Sequence, residues 1–227
     1  MTDETRPIAR RAIVTALGTG VAALGIASVP RDASARGSRW QPAMEKEDDW
    51  MNMPGRHRMV FDATSANGAG EALFFADNYI ATNKSGYGLE QSQLATIVIL
   101  RHFATIFGYT DPVWEKYGHV FANVTKFMDP KTKEAPRRNL YATTGEKGLP
   151  NQNVTLSALS GMGVRYAVCG LATEKIAEML AGETKGDADT IHKELLAHVI
   201  PDAHVVPAGI VTVNRAQERG YAFAYIG

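Results

Sequence analysis

Cysteine is almost absent from this chain: Cys169 is the only one among 227 residues, which excludes an internal disulfide. An excess of charge of either sign is also missing, since 24 Lys and Arg face 24 Asp and Glu. With no basic stripe or surplus, no nucleic-acid partner is expected. Apart from a Gly/Ala-rich stretch ending near Val29, no segment approaches the about 20 strongly apolar residues of a membrane span. Neither a glycine-rich phosphate loop nor a Gly-x-Ser-x-Gly elbow occurs. His192, His198 and His204 stand six apart, a spacing that does not line one helix face, and they lack the second cysteine or acidic cluster of a recognisable metal site. No cofactor or metal is therefore expected. What remains is a chain 45% hydrophobic and 21% charged, the composition of a soluble globular protein with room for one well-cored domain.

The first 35 residues read as an address. Arg10-Arg11 precede a mildly apolar run, Pro30 breaks it, and Ala33-Ser34-Ala35 has the small-residue pattern of a signal-peptidase site. The arrangement resembles a twin-arginine export signal, which implies cleavage after Ala35, folding before export and a periplasmic mature protein. Beyond it the charge balance is 20 basic to 21 acidic. Residues 36–57 form a polar arm carrying Glu45, Glu47, Asp48 and Asp49 beside Trp40 and Trp50, with Met53-Pro54-Gly55 as a turn.

From residue 58 the patterns alternate between strand and helix. Met59 to Ala63 reads as a strand and Gly68 to Thr82 as a helix burying Ala72, Phe75, Ala76 and Tyr79, with Asn67 as its cap and Gly86-Tyr87-Gly88 as a break. Leu94 to Leu100 is a nearly continuous apolar run, as a central parallel strand requires. Thr110-Asp111-Pro112 opens a helix through Trp114 to Phe127, with His119 on its surface. Asp129 to Pro150 has no period and reads as a long functional or mobile excursion whose Lys131, Lys133, Arg137 and Arg138 are solvated or, less expectedly, hold an anion. A short helix over 153–161 follows. The tail gives a helix over 190–199, a strand over 203–206, a helix from Ile210 to Arg219 and a last strand from Tyr221 to Ile226. The fold class is therefore α/β, a mainly parallel five-stranded sheet sandwiched by helices with right-handed crossovers.

The most informative stretch is Gly163 to Ala172. Val164, Tyr166 and Val168 favour a strand, Gly170 permits a turn, and Ile176, Met179 and Leu180 continue with helical spacing. Cys169 thus sits where a strand ends and a helix begins, the place where ligands of open α/β sheets bind and where amide donors favour an anion, a thiolate included. Two readings stand side by side: a reactive thiol, or a small buried hydrophobe closing the strand. Strand two delivers Arg101 and His102 to the same side of the sheet, so His102 is a candidate catalytic partner. Arg101, Gly170, Pro207 and Gly209 are candidates for the ligand loops.

GVRYAVCGLA and the closing AHVVPAGIVTVNRAQERGYAFAYIG, together with VILRH, resemble the DsrE/DsrF-like family of sulfur-relay proteins. The likeness extends over most of Met59 to Gly227. It implies a compact α/β domain assembling as trimers or multiples of them, and a cysteine, matched here by Cys169, that accepts and passes on sulfane sulfur as a persulfide. The partner implied is a small sulfur compound or a sulfur donor or acceptor protein, and the protein is a sulfur carrier or transferase-like at most. The export signal, the acidic arm and the 129–150 excursion depart from the family's short cytoplasmic pattern. The alternative is an oligomeric periplasmic binding module for a small anion or partner protein, with Cys169 structural.

Overall fold

The structure, a computed structural model, describes residues 41–227 except Thr144 and Glu146. The expected export signal, its expected cleavage point and Trp40 lie outside the described residues. Residues 42–227 form one compact unit. Five strands, β1 (His57–Ala63), β2 (Leu94–Leu100), β3 (Arg165–Cys169), β4 (Ala203–Val206) and β5 (Ala222–Ile226), make an all-parallel sheet in the order β4-β3-β2-β1-β5. Helices α1 (Ala66–Tyr87), α2 (Asp111–Thr125), α3 (Leu156–Gly161), α4 (Gly170–Thr184), α5 (Ala188–Ala197) and α6 (Gly209–Glu218) flank it. The expected architecture is the observed one. Register aligns the strand ends: Ala63 lies opposite both Leu100 and Ile226, and Cys169 opposite Val206.

Every residue of β2 is buried, as a central strand covered on both faces demands. Side chains alternate between the faces. Phe61, Val98, Leu100, Tyr166 and Val168 meet Leu73 of α1, Trp114 and Phe121 of α2, and Leu180 of α4 in the larger core. Val60, Ile97, Ile99, Ala167 and Val206 meet Val213 and Ala216 of α6 in the smaller one.

Several boundaries differ from the sequence reading, each for a local reason. The cap of α1 is Ser65, whose hydroxyl accepts a 2.8 Å hydrogen bond from the Gly68 amide. Ser65 has the extended backbone an N-cap needs, whereas Asn67 is already inside the helix. The helix also runs through Gly86 and stops one residue after Tyr87, at Gly88, where φ is 66°. A left-handed C-cap suits glycine. Phe75 is exposed, and the buried stripe of α1 is instead made of Ala66, Ala69, Ala72, Leu73 and Ala76. Small residues there let the helix lie close to the sheet.

The arm is part of the compact unit. Lys46–Met51 forms a 3₁₀ turn, with Met51 fully buried. Its last carbonyl accepts a 2.7 Å hydrogen bond from the Tyr221 hydroxyl, the Arg165 guanidinium donates to the Trp50 carbonyl, and the Trp50 ring stacks on His204 at 4.4 Å and 14°. Residues 129–150 contain no helix or strand among those described, but they are pinned. Asn139 Nδ2 donates to the Phe107 and Tyr109 carbonyls at 2.9 Å each, and the buried Tyr141 ring lies 4.4 Å from that of Phe107. The anchors are spaced by turns, which leaves no hydrophobic period to read. Lys131, Lys133 and Arg137 face solvent, Arg137 beside Glu115 at 3.5 Å. His119 is exposed, as its position on α2 suggested.

Candidate functional site

The site is a product of the chain's route through the sheet. The helices that follow β1, β2 and β3 pack on the larger-core face, whereas α6, which carries the chain from β4 to β5, packs on the other. Neighbouring strands β3 and β4 therefore send their helices to opposite faces. A crevice opens beyond their carboxyl ends, at the topological switch point where open α/β sheets bind ligands. Cys169 ends β3 in that crevice, and Pro207-Ala208-Gly209 turns the chain from β4 into α6 across from it.

The Cys169 side chain is the N-cap of α4, and its Sγ accepts from the Ala172 amide at 3.4 Å. It accepts a second hydrogen bond, at 3.2 Å, from the amide of Gly209, the first residue of α6. Two helix N-termini thus point donors at one sulfur, and both macrodipoles favour negative charge there. Gly170 is present for room more than for an unusual turn: a Cβ on it would meet the Val206 carbonyl oxygen at 2.8 Å. The loops are tied by the Leu171 amide donating to the Pro207 carbonyl at 3.1 Å. Below the sulfur, the Thr173 hydroxyl donates to the Cys169 carbonyl and the buried Tyr109 hydroxyl to Thr173, each at 2.9 Å. Burial pushes the Tyr109 phenol well above its ordinary pKa, so it stays a donor.

Cys169 is 6% exposed and lies in the wall of a cavity of about 390 Å³. Arg101, His102, Cys169 and Gly209 line that cavity, whereas the other two candidates, Gly170 and Pro207, do not. The body of the cavity is apolar: Ile106, Phe121, Ile176 and Met179 line it, with the exposed Phe103, Val124, Leu171 and Ile210 around its mouth. Residues 129–150 do not contribute to its lining.

Arg101 is held by Asp62, a residue the sequence reading passed over. Nε and Nη2 of Arg101 donate to the two carboxylate oxygens at 2.7 and 2.8 Å; the carboxylate side chain is 1% exposed and the guanidinium side chain 22%. Hydrogen bonding to Asp62, reinforced by its charge, raises the Arg101 pKa further despite partial burial. The arginine stem in turn walls in Gly209, where an added Cβ would lie 2.6 Å from Arg101 Cβ. An acid inside the hydrophobic Val60-Phe61-Asp62-Ala63 was the available signal, because a charge in a buried strand requires a partner.

His102 does not bond to the sulfur, whose partners are the two amides. It is exposed, lies against Phe103 with ring centroids 4.3 Å apart, and has φ of 54°. Left-handed backbone at a non-glycine residue costs on the order of 1–3 kcal/mol and is held here by the turn that follows β2. The other histidines are scattered: His198 Nδ1 is 2.9 Å from the Glu194 carbonyl and His204 stacks on Trp50. Among the described residues no three His, Cys, Asp or Glu side chains gather as a metal site requires, and no helix is long and apolar enough to cross a membrane. Comparison with protein families, curated proteins and solved structures finds no match.

Proposed function

We propose that the protein handles sulfane sulfur, with Cys169 as the atom that accepts and releases it. The observation that carries this reading is the pair of amide donors, Ala172 N and Gly209 N, aimed at Sγ from two helix N-termini in a cavity at the switch point. Attack by the Cys169 thiolate on a donor's sulfane sulfur forms Cys–S–SH as the donor's S–S bond breaks and its remaining thiolate leaves. An acceptor thiolate then attacks the outer sulfur and expels Cys169 as thiolate. Negative charge returns to Sγ in that second step, and the two amides are already placed to meet it. His102 and Arg101 complete the cavity wall. The likeness of GVRYAVCGLA and the closing segment to DsrE/DsrF-like proteins supports the same reading. The proposal also takes the twin-arginine-like segment over 1–35 as an export signal, which would set the reaction in the periplasm. The proposal includes a homo-oligomer, a trimer or multiple, supported by the exposed Phe223 and Tyr225 on edge strand β5.

Mass spectrometry tests it. Incubation with sulfane donors adds about 32 Da, one sulfur atom, to the native protein and nothing to Cys169→Ser. Burial of Cys169 favours a second reading, a binding module with a structural thiol. That reading expects no adduct with any donor and slow alkylation by iodoacetamide until denaturant is added.

A further inference from the structure

The lining of the cavity contains information about the donor that the sulfur alone does not. Of the two Lys or Arg side chains that line it among the described residues, Arg101 is neutralised by Asp62 through both oxygens, and Lys175, at the exposed rim, has Nζ 2.8 Å from both carboxylate oxygens of Glu178. An inorganic anion moving past Phe103, Leu171 and Ile210 would lose hydration against apolar side chains before it reached the two amide donors at the sulfur. Size argues the same way. At about 30 Å³ per water in the liquid, a cavity of about 390 Å³ displaces on the order of ten solvent molecules. Thiosulfate or a short polysulfide leaves most of that space wet against apolar walls. A persulfide on a protein cysteine ends one carbon from its backbone and cannot reach Ile106, Phe121 and Met179 together.

We infer that the donor is a low-molecular-weight organic hydropersulfide, R–S–SH, whose R is an aliphatic or aromatic body of roughly a dozen non-hydrogen atoms, a size scaled from the waters it displaces. This rests on the sulfur-handling reading and specifies its substrate. R fills the apolar body of the cavity and carries its outer sulfur to Cys169. The step balances without an added oxidant: Cys169–S⁻ and R–S–SH give Cys169–S–SH and R–S⁻, the proton staying on the transferred sulfur. The leaving R–S⁻ departs through a mouth rimmed by Phe103 and Leu171, which are 39% and 52% exposed.

Three donors at equal sulfane sulfur separate the possibilities: phenethyl hydropersulfide, glutathione persulfide and inorganic polysulfide. Phenethyl hydropersulfide should label Cys169 at least ~10-fold faster than either other donor, the discrimination that one or two apolar groups supply in a fitted pocket. Leu171→Gln and Ile210→Gln change exposed positions and so spare the core; each should erase that advantage, slowing phenethyl hydropersulfide more than it slows polysulfide. Calorimetry of Cys169→Ala with phenethyl methyl sulfide, an unreactive thioether, reads the pocket independently of sulfur chemistry, and saturable one-site binding is expected. Equal or faster labelling by polysulfide or glutathione persulfide, or a thioether that does not bind while polysulfide still labels, overturns the substrate class and leaves the sulfur-handling reading standing. Failure of all three donors to label overturns both.

Discussion

Replacing Arg101 by methionine keeps an unbranched apolar stem but removes the guanidinium and its charge, and the consequence follows from where Asp62 sits. The carboxylate is 1% exposed and takes both of its hydrogen bonds in the site from Arg101, so Arg101→Met leaves an uncompensated buried charge. Breaking one side of a buried pair costs about 3–5 kcal/mol. For a domain of this size each kcal/mol moves the melting temperature by about 2–4 °C, which puts the shift at roughly 6–20 °C. The reverse change, Asp62→Asn, is milder because the guanidinium is 22% exposed and can turn to water; a loss of about 1–3 kcal/mol is expected from the hydrogen bonds that remain unmade. The double change Asp62→Val with Arg101→Met removes both charges and should recover most of the single-variant loss, since well-packed apolar pairs often match a buried ion pair. Urea titrations of the parent protein, Arg101→Met, Asp62→Val and their combination give the cycle, with the slope checked for constancy. A loss below about 1 kcal/mol in Arg101→Met, the range of a solvent-screened surface pair, would refute the reasoning. The cycle also has a functional readout. Because the Arg101 stem bounds Gly209, the Met variant should change the alkylation rate of Cys169 in the folded protein, and the double variant need not restore it.

Three further changes test other parts of the frame. In Gly209→Ala the new methyl lies 2.6 Å from Arg101 Cβ; a loss of about 1–3 kcal/mol from overpacking is expected, with altered iodoacetamide reactivity at Cys169 as the Gly209 amide moves off the sulfur. His102→Gly should instead raise stability by about 1 kcal/mol, because glycine takes the φ of 54° without strain, and an unfolding midpoint that falls would contradict the account. His204 has a pKa lowered by burial, then by the Arg165 charge, with Asp202 opposing. A folded-state value below the unfolded one makes the unfolded chain bind the proton first. Stability is thus held above the unfolded pKa of about 6.5 and lost as pH falls through it toward the folded value. Trp50 fluorescence should follow that loss between pH 7 and 5, and His204→Phe, which keeps the stack, should flatten it.

Much of the frame was legible because the signals that specify it are local. Leu94–Leu100 and Ala203–Val206 match their strands to the residue, and Cys169 ends its strand as the Tyr166-Ala167-Val168 pattern implied. What the sequence hid is what depends on partners distant in the chain. The second donor to Sγ comes from Gly209, forty residues on, and Asp62 meets Arg101 only because β1 and β2 pair with Asp62 opposite Ile99. The arm's Met51 looked like part of a polar segment because its burial depends on Tyr221 and Arg165 coming to it. The unpatterned 129–150 segment is anchored by Asn139 and Tyr141, single residues at turn spacing that no periodicity test detects.

The order of the strands is the element with the largest consequence for the site. Strand and helix patterns do not encode whether β4 adds beside β3 or elsewhere, yet only that placement sets the N-termini of α4 and α6 on either side of one sulfur. Had β4 joined the β5 edge, Cys169 would keep the Ala172 amide, which belongs to its own helix, and lose Gly209. Right-handed crossovers narrow the choice: strands β1 to β4 step one way with their helices on one face, and the return to β5 must then cross the opposite face. That return carries α6 past the end of β3. The donor geometry at Cys169 is thus a consequence of chain direction reversing once, and it assembles only when the two outermost winding steps have been completed.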